Sequence, residues 1–330
     1  MTNSLGRFVE RLKTIAETSR LRILALLAQG DLTVSDLTEI LNQSQPRVSR
    51  HLKLLSEAAL IERYQEGSWA FFRMADTGDD REIVADLLAR VSRDDGQLVR
   101  DRERLSAVKL RRQTRAADYF SRNAEGWDAI RSLHAPDAAV ERALLDAVGT
   151  RPFQAMLDLG TGTGRMLEIF APLFRRGVGL DQSREMLAVA RANLDRAGIT
   201  HAQVRQGDLF AAPVERNAFD LVTMHQVLHY LDDPQAAIRE AAKLLRPAGR
   251  LAIVDFAPHA LEFLREEHAH LRLGFSDRQI AEWFAEAGLS TEKTLRVEPE
   301  GEAGLVVTIW IGLDPRILVA APAMAQGEIA

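Results

Sequence analysis

The tightest constraint on this chain lies at residues 155–164, where Ala155-Met156-Leu157-Asp158-Leu159 runs straight into Gly160-Thr161-Gly162-Thr163-Gly164. The first five residues read as a buried strand, and three glycines in five positions demand a sharp turn with almost no side-chain bulk. Helical spacing starts at about Arg165, so the turn joins a strand to a helix. The unit then recurs. Further strands read at Gly177-Val178-Gly179-Leu180-Asp181, at Ala202 to Leu209, at Ala218 to Met224, and at Arg250 to Phe256 after a Pro247-Ala248-Gly249 turn. Short apolar runs alternating with amphipathic helices specify a parallel sheet covered on both faces, an α/β doubly wound domain.

The turn and the strand ends narrow the ligand. Glycines at 160, 162 and 164 let a ligand approach the backbone without meeting Cβ atoms, and the N–H groups opening the next helix favour a carboxylate or phosphate. Asp181 ends the second strand 17 residues past Gly164, where a carboxylate can accept both hydroxyls of a ribose. Asp208 closes the third unit and can accept an adenine amino hydrogen. The dinucleotide fingerprint G-x-G-x-x-G fails, because Arg165 stands where its third glycine belongs. Each acid also has a plainer reading, a turn cap for Asp158 and a surface acid for Asp181 or Asp208.

The pattern D-L-G-T-G-T-G, with Asp181 and Asp208-Leu209 downstream, resembles the class I S-adenosylmethionine (SAM)-dependent methyltransferases over about residues 118–312. The resemblance implies a Rossmann-like, seven-stranded sheet. It implies that Asp158 and the loop Gly160, Thr161, Gly162 and Gly164 hold the methionine moiety of SAM. Asp181 with Gln182 would bind the ribose, Asp208 with Leu209 the adenine, and His225 would border the cofactor. S-adenosylhomocysteine (SAH) would be the product.

The acceptor side is less defined. His225 and His229 follow the fourth strand and are candidate general bases, since imidazole titrates near neutrality. Leu228 and Leu231 suggest a packing helix there, which makes both histidines structural instead. His259, Glu262, Glu266, Glu267, His268 and His270 form a cluster after the fifth strand; charged helical faces of this kind are commoner than metal sites, and no metal is expected. The segment APHALEFLREEHAHLRLGFSDRQI reads as part of an acceptor lid. Tyr119, Phe120 and Trp127 stand where related enzymes place an N-terminal helix over the cofactor, with core packing as the alternative.

The front third has another organisation. Helical spacing covers 5–17 and 19–29, with Gly30 as a C-cap, and Thr33 caps a short helix from Val34 to Leu41. Ser44 is placed to cap a fourth helix reaching about Ala58. Val48, Leu52 and Leu55 fall on its hidden face, while Ser49, Arg50 and Lys53 point the opposite way with Arg47 on the flank. No acid occurs from Ser44 to Ser56, which suits a DNA major groove; a solvated helix with ordinary surface cations is the alternative. Residues 60–64 and 69–73 alternate around Glu66-Gly67-Ser68 as a β-hairpin wing. The segment resembles the ArsR family of winged-helix regulators, on LKTIAETSRLRILALLAQGDLTVSDL and SQPRVSRHLKLLSEAALIERYQEGSWAFFRM. That implies DNA contacts from Ser44, Gln45, Arg47, Ser49, Arg50 and Lys53, and a dimerising helix at roughly 78–95. Thr33 and Ser35 stand where metal-sensing members carry cysteines, so thiolate sensing is excluded.

Composition sets the remaining limits. The chain has no cysteine, which rules out disulfides and thiolate chemistry. Its N-terminus lacks the apolar core of a secretory signal and no run of 18 apolar residues occurs, so a cytoplasmic, membrane-free protein is expected. Residues 1–117 carry 20 Lys and Arg against 17 Asp and Glu, and residues 118–330 carry 22 against 30, which assigns an acidic partner to the front. The expected organisation is an α+β winged helix-turn-helix domain at 1–95, a charged helical connector at 96–117, the methyltransferase domain at 118–312 and a tail at 313–330. The connector reads as a solvated strut packed by one edge, with phosphate contacts from its basic end as the other reading. The expected protein is a homodimeric DNA-binding regulator that binds operator DNA and methylates a small molecule; the alternative is a non-catalytic sensor of SAM or SAH.

Overall fold

Capping chemistry sets the first helices. α1 (Leu5–Ile15) stops short of the expected residue 17, because Glu17 is extended and its carboxylate accepts the Arg20 N–H at 2.9 Å, opening α2 (Thr18–Leu27). That helix ends in Ala28, and Gly30, the expected C-cap, lies two residues further on at φ +134°. Thr33 and Asp36 form a reciprocal capping box at the start of α3 (Val34–Leu41), and Asn42 turns the chain in a left-handed conformation at its end. Ser44 sits at the N-cap of α4 (Gln45–Glu57), but its hydroxyl makes no cap bond, in contrast to the expectation; Pro46 in the first turn helps set the helix start instead. The computed structural model describes residues 5–316 apart from 67–68, 76–77, 93, 125–136 and 300–303. Trp127 and the tip of the expected wing turn lie outside the described residues, as do the side chains of Arg112 and Arg115 at the basic end of the expected connector.

Three strands complete the winged helix. β1 (Leu32–Thr33), not expected, pairs with β3 (Trp69–Met74), which pairs with β2 (Ile61–Glu66). Alternation along the hairpin gives it two faces. Ile61, Ala70, Phe72 and Met74 pack with Ile23, Leu37, Val48, Leu52 and Leu55 in the core, while Tyr64, Trp69 and Phe71 occupy the other face. α5 (Gly78–Ala89) and the long α6 (Gly96–Asn123) follow. Leu105 and Val108 of α6 are 3% exposed in that same core.

The rear of the chain builds a seven-stranded sheet, in the order β6-β5-β4-β7-β8-β10-β9. Its parallel strands are β4 (Phe153–Leu159), β5 (Phe174–Asp181), β6 (Ala202–Gln206), β7 (Phe219–His225) and β8 (Leu245–Phe256). β9 (Ser290–Val297) and β10 (Val307–Leu313) close the edge, with β10 antiparallel to both neighbours. Between them come α7 (Asp137–Val148), α8 (Arg165–Phe170), α9 (Arg184–Arg196), α10 (Pro234–Leu244), α11 (Phe263–Glu267) and α12 (Asp277–Glu286). The expected Pro247-Ala248-Gly249 turn is an irregularity within β8 rather than its start. Ala248 lies at φ +61°, and a Cβ on Gly249 would stand 2.9 Å from the Phe219 carbonyl.

Contacts divide the chain into two compact units. One comprises Met1–Tyr119 with His229–Pro234 and Pro258–Gly274; the other comprises Phe120–Leu228, Gln235–Ala257 and Phe275–Ala330. Two short excursions, one after β7 and one after β8, thus belong to the unit of the winged helix.

A buried ion pair fastens α6 to the helix-turn-helix. The Arg22 guanidinium donates to both Asp101 oxygens, at 2.6 and 2.7 Å, and to the Leu41 carbonyl at 3.2 Å, with Asp101 only 1% exposed. Removing one partner strands a buried charge, so Arg22→Ala or Asp101→Ala should each cost about 3–5 kcal/mol of stability. The double change Arg22→Met with Asp101→Leu should recover most of it. Urea denaturation of the three proteins checks this, and additive losses in the double variant would contradict it.

Candidate functional site

The sheet's winding fixes where a ligand belongs. From β4 the chain moves outward to β5 and β6, then crosses to the opposite side of β4 for β7, so β4 and β7 flank the switch point at the carboxyl ends of the strands. Asp158 near the tip of β4 and Thr223 of β7 are register partners, and the Thr223 hydroxyl donates to Asp158 Oδ1 at 2.6 Å. Asp158 is 1% exposed, and its Oδ2 has no hydrogen-bond partner among the described residues. Burial pushes its pKa up to about 6 and the charge of Asp181 adds to this, while the Thr223 hydroxyl and the nearby Thr161 hydroxyl favour the ionised form. A cation or donor reaching Oδ2 would satisfy it.

Packing dictates the glycine loop more than open space does. Gly160 lies at φ +71°, and a Cβ there would meet Val227 at 2.5 Å. Gly164, at φ +85°, backs onto Ala190 of α9. Gly179 in β5 is free of a Cβ that would stand 2.6 Å from the Thr161 hydroxyl. Four of the loop's own N–H groups are engaged within the domain. The Gly160 and Thr161 N–H groups both donate to the Leu180 carbonyl, Gly162 to Asp181, and Gly164 to the Thr161 carbonyl. α8 behind it has only six residues.

The remaining expected cofactor residues form a chain of contacts along the strand ends. Asp181 Oδ2 accepts the Gly162 N–H and Oδ1 accepts the Ser183 N–H, each at 2.9 Å. Burial raises the Asp181 pKa, with the Ser183 and Gly162 N–H groups opposing it. Each carboxylate oxygen can accept more than one bond, so the pair still presents two acceptors side by side. Gln182 reaches Asp208 Oδ1 at 3.3 Å, and Asp208 caps the short turn that holds Leu209. Asp208 and Gln182 are exposed, and Leu209 is buried.

The two histidines part company. His225 is half-buried at the end of β7, opposite Val254 of β8. His229 belongs to the other unit, where its ring packs 4.1 Å from both Tyr230 and His270. The cluster after β8 likewise makes local contacts: His268 Nδ1 lies 2.7 Å from the Tyr119 hydroxyl, Glu262 pairs with Arg265, and His259 Nδ1 accepts the Leu261 N–H.

On α4, Val48, Leu52 and Leu55 are buried, while Ser44, Gln45, Arg47, Ser49, Arg50 and Lys53 are all exposed. Lys53 approaches Glu57 at 3.8 Å, an exposed pair of little energetic weight. His51, unremarked in the sequence, has its Nδ1 3.6 Å from a carboxylate oxygen of Glu17, the cap of α2, and burial lowers its pKa. Thr223 and Val227 were also missed as site residues. A lone hydroxyl inside the apolar run Leu221-Val222-Thr223-Met224 was the available signal for the first; nothing in the sequence pointed to the second.

Known proteins resemble this chain in both of its parts. Residues 157–253 match the family described as "Methyltransferase domain", and residues 17–63 match "Bacterial regulatory protein, arsR family". An uncharacterised methyltransferase of Bacillus subtilis, YcgJ, is 32% identical over 31% of this chain and 41% of its own length. An uncharacterised 37.1 kDa protein of a Streptomyces fradiae transposon is 32% identical over 48% of this chain and 50% of its own. A ubiquinone/menaquinone biosynthesis C-methyltransferase of Vibrio parahaemolyticus is 29% identical over 48% and 63%. The chain thus spans less than two thirds of each of these relatives. The N-methyltransferase NodS of Bradyrhizobium japonicum, solved with SAH, shares the fold over 61% of this chain and 99% of its own, at 20% identity and a TM-score of 0.50. The chain therefore carries an ArsR-family helix-turn-helix segment at its front and, behind it, a methyltransferase domain of the SAM-dependent fold.

Proposed function

We propose that the protein is a DNA-binding regulator whose rear domain binds SAM and transfers its methyl group to a small molecule. The observation that carries this reading is the line of acceptors at the switch point: the unpartnered Oδ2 of Asp158, the paired oxygens of Asp181 and the exposed Asp208. In that order they suit the ammonium, the ribose hydroxyls and the adenine amino group of one nucleoside. When bound, SAM supplies a methyl group already activated on a sulfonium. The chain's own work is then to hold and align, which supplies much of the rate without a dedicated base. The named activities of the relatives, quinone C-methylation among them, favour catalysis over pure sensing. The exposed polar face of α4 supports operator binding, and the ArsR resemblance supports a homodimer on a palindromic site. Transfer of labelled methyl from SAM to a cell extract tests catalysis directly; retention of SAM binding with no transfer would leave the sensing role.

Three further outcomes follow. Asp181→Ala should weaken SAM binding by roughly 1.5–3 kcal/mol, about 10-fold to 150-fold, in titration calorimetry, because it removes a charged acceptor and releases Gly162. SAM affinity should rise with pH up to about 6, since the ammonium pairs only with the ionised form of Asp158, and then level off. Below that pH the slope should approach about tenfold per unit and should vanish in Asp158→Asn; a flat wild-type profile would remove Asp158 from the ligand. On DNA, binding should fall steeply with salt, and Arg50→Ala should cost about 1–3 kcal/mol if Arg50 reads a base. Salt-independent or undetectable DNA binding would leave the winged helix as a dimerisation device.

A further inference from the structure

The hairpin of the winged helix presents a second, aromatic face that its own core does not cover. Tyr64 and Phe71 stack there with ring centroids 5.6 Å apart, and Trp69 lies beside them at 6.2 Å from Phe71. Phe71 is nevertheless only 3% exposed. Its cover comes from the excursion after β8. The Arg272 guanidinium sits 4.6 Å above the Phe71 ring, and that of Arg265 sits 4.7 Å above Trp69. Both arginines are buried, which is a demanding state for a cation and calls for specific partners.

Arg272 is the hub of this arrangement. It donates to the Tyr64 hydroxyl at 2.7 Å and to the Asp232 carbonyl at 3.1 Å, and it lies 3.6 Å from Asp31. Tyr64 in turn donates to Asp31. The backbone N–H groups of Leu271 and Arg272 both donate to the His229 carbonyl, at 2.9 and 3.0 Å. The excursion after β7 and the excursion after β8 are thus bonded to each other and to the hairpin through one residue. A second hold lies where His268 meets Tyr119 of α6. His229 is only four residues beyond His225, at the end of β7. The hairpin, for its part, follows α4 directly, with the Leu60 N–H donating to the Leu55 carbonyl at 3.0 Å.

We infer that residues 229–234 and 258–274 form a regulatory strap, through which the ligand held at the switch point between β4 and β7 sets the DNA affinity of α4 by way of Arg272 and the aromatic face of the hairpin. The inference rests on the functional reading above. A shift of the β7 end is delivered to the His229 carbonyl by four residues of chain. From there it passes to Arg272 by hydrogen bond, to Tyr64 and Phe71 by contact, and to α4 by the hairpin's attachment. Coupling of this kind must be reciprocal. SAM and SAH differ by one methyl group and one charge at the sulfur, so they are the probes that read it.

The test uses the full chain and a DNA duplex selected by the wild-type protein from a random library. Operator affinity is measured with saturating SAM, with saturating SAH and with neither, and SAM and SAH affinities are measured without DNA. Wild type should show operator affinities differing by about 5-fold to 150-fold between SAM and SAH, the usual range of allosteric coupling. Arg272→Gln should bring that ratio below about twofold while SAM affinity without DNA stays unchanged. Because Arg272 is buried, Tyr64→Phe provides a second reading that leaves the arginine in place; it should reduce the ratio at least severalfold. A full wild-type ratio in Tyr64→Phe, or in an Arg272→Gln protein that still binds SAM, overturns the strap. So does a wild-type protein that binds both DNA and SAM yet shows no difference between the ligands. Failure to bind DNA or SAM at all overturns the functional reading itself, a result separable from the others.

Discussion

Asp158 accepts the Thr223 hydroxyl across the one place where the sheet reverses its winding, and much of the rear domain is arranged around that contact. A carboxylate this deeply buried is unfavourable unless partners compensate, and Thr223 supplies half of what is needed. The other oxygen is left for something outside the described residues to satisfy. The neighbouring loop obeys a different constraint. Its glycines exist because Val227, Ala190 and Thr161 press against positions 160, 164 and 179, and because 160 and 164 need positive φ. The loop is therefore tightly packed backbone with four of its N–H groups engaged within the domain.

In the front domain the corresponding constraint is alternation along the hairpin. One face joins the core beneath α4, and a short hairpin with aromatic residues on both faces needs a second cover. The cover is drawn from sequence nearly 200 residues away, in an excursion that the sequence suggested as an acceptor lid. Of the residues first weighed as metal ligands or bases, His268 and His270 lie in this excursion, where His268 meets Tyr119 and His270 packs on His229 of the excursion after β7.

The helix α6 shows how a charge-rich stretch conceals its role. From its sequence it is a run of arginines and acids with a thin apolar stripe. In the fold the stripe enters the core at Leu105 and Val108, and Asp101 becomes the sole carboxylate bound by the buried Arg22 among the described residues. Nothing in the spacing singles out Asp101 from Asp94, Asp95 or Glu103, because the partner is 79 positions away.

The sequence by itself determined the order of elements, the doubly wound sheet and the positions of Asp158, Asp181, Asp208 and the exposed row on α4, because each of these is written in short-range pattern: strand, turn, acid, or helix face. It did not reveal that the glycines are required by Val227 and Thr161, that Thr223 locks Asp158, that β1 joins the hairpin, or that Arg272 links two excursions to Tyr64 and Phe71. Those depend on side chains that meet only after strands have paired and crossovers have formed. A residue's partner at long sequence separation is set by register and packing, and neither is encoded in the local spacing of residue types.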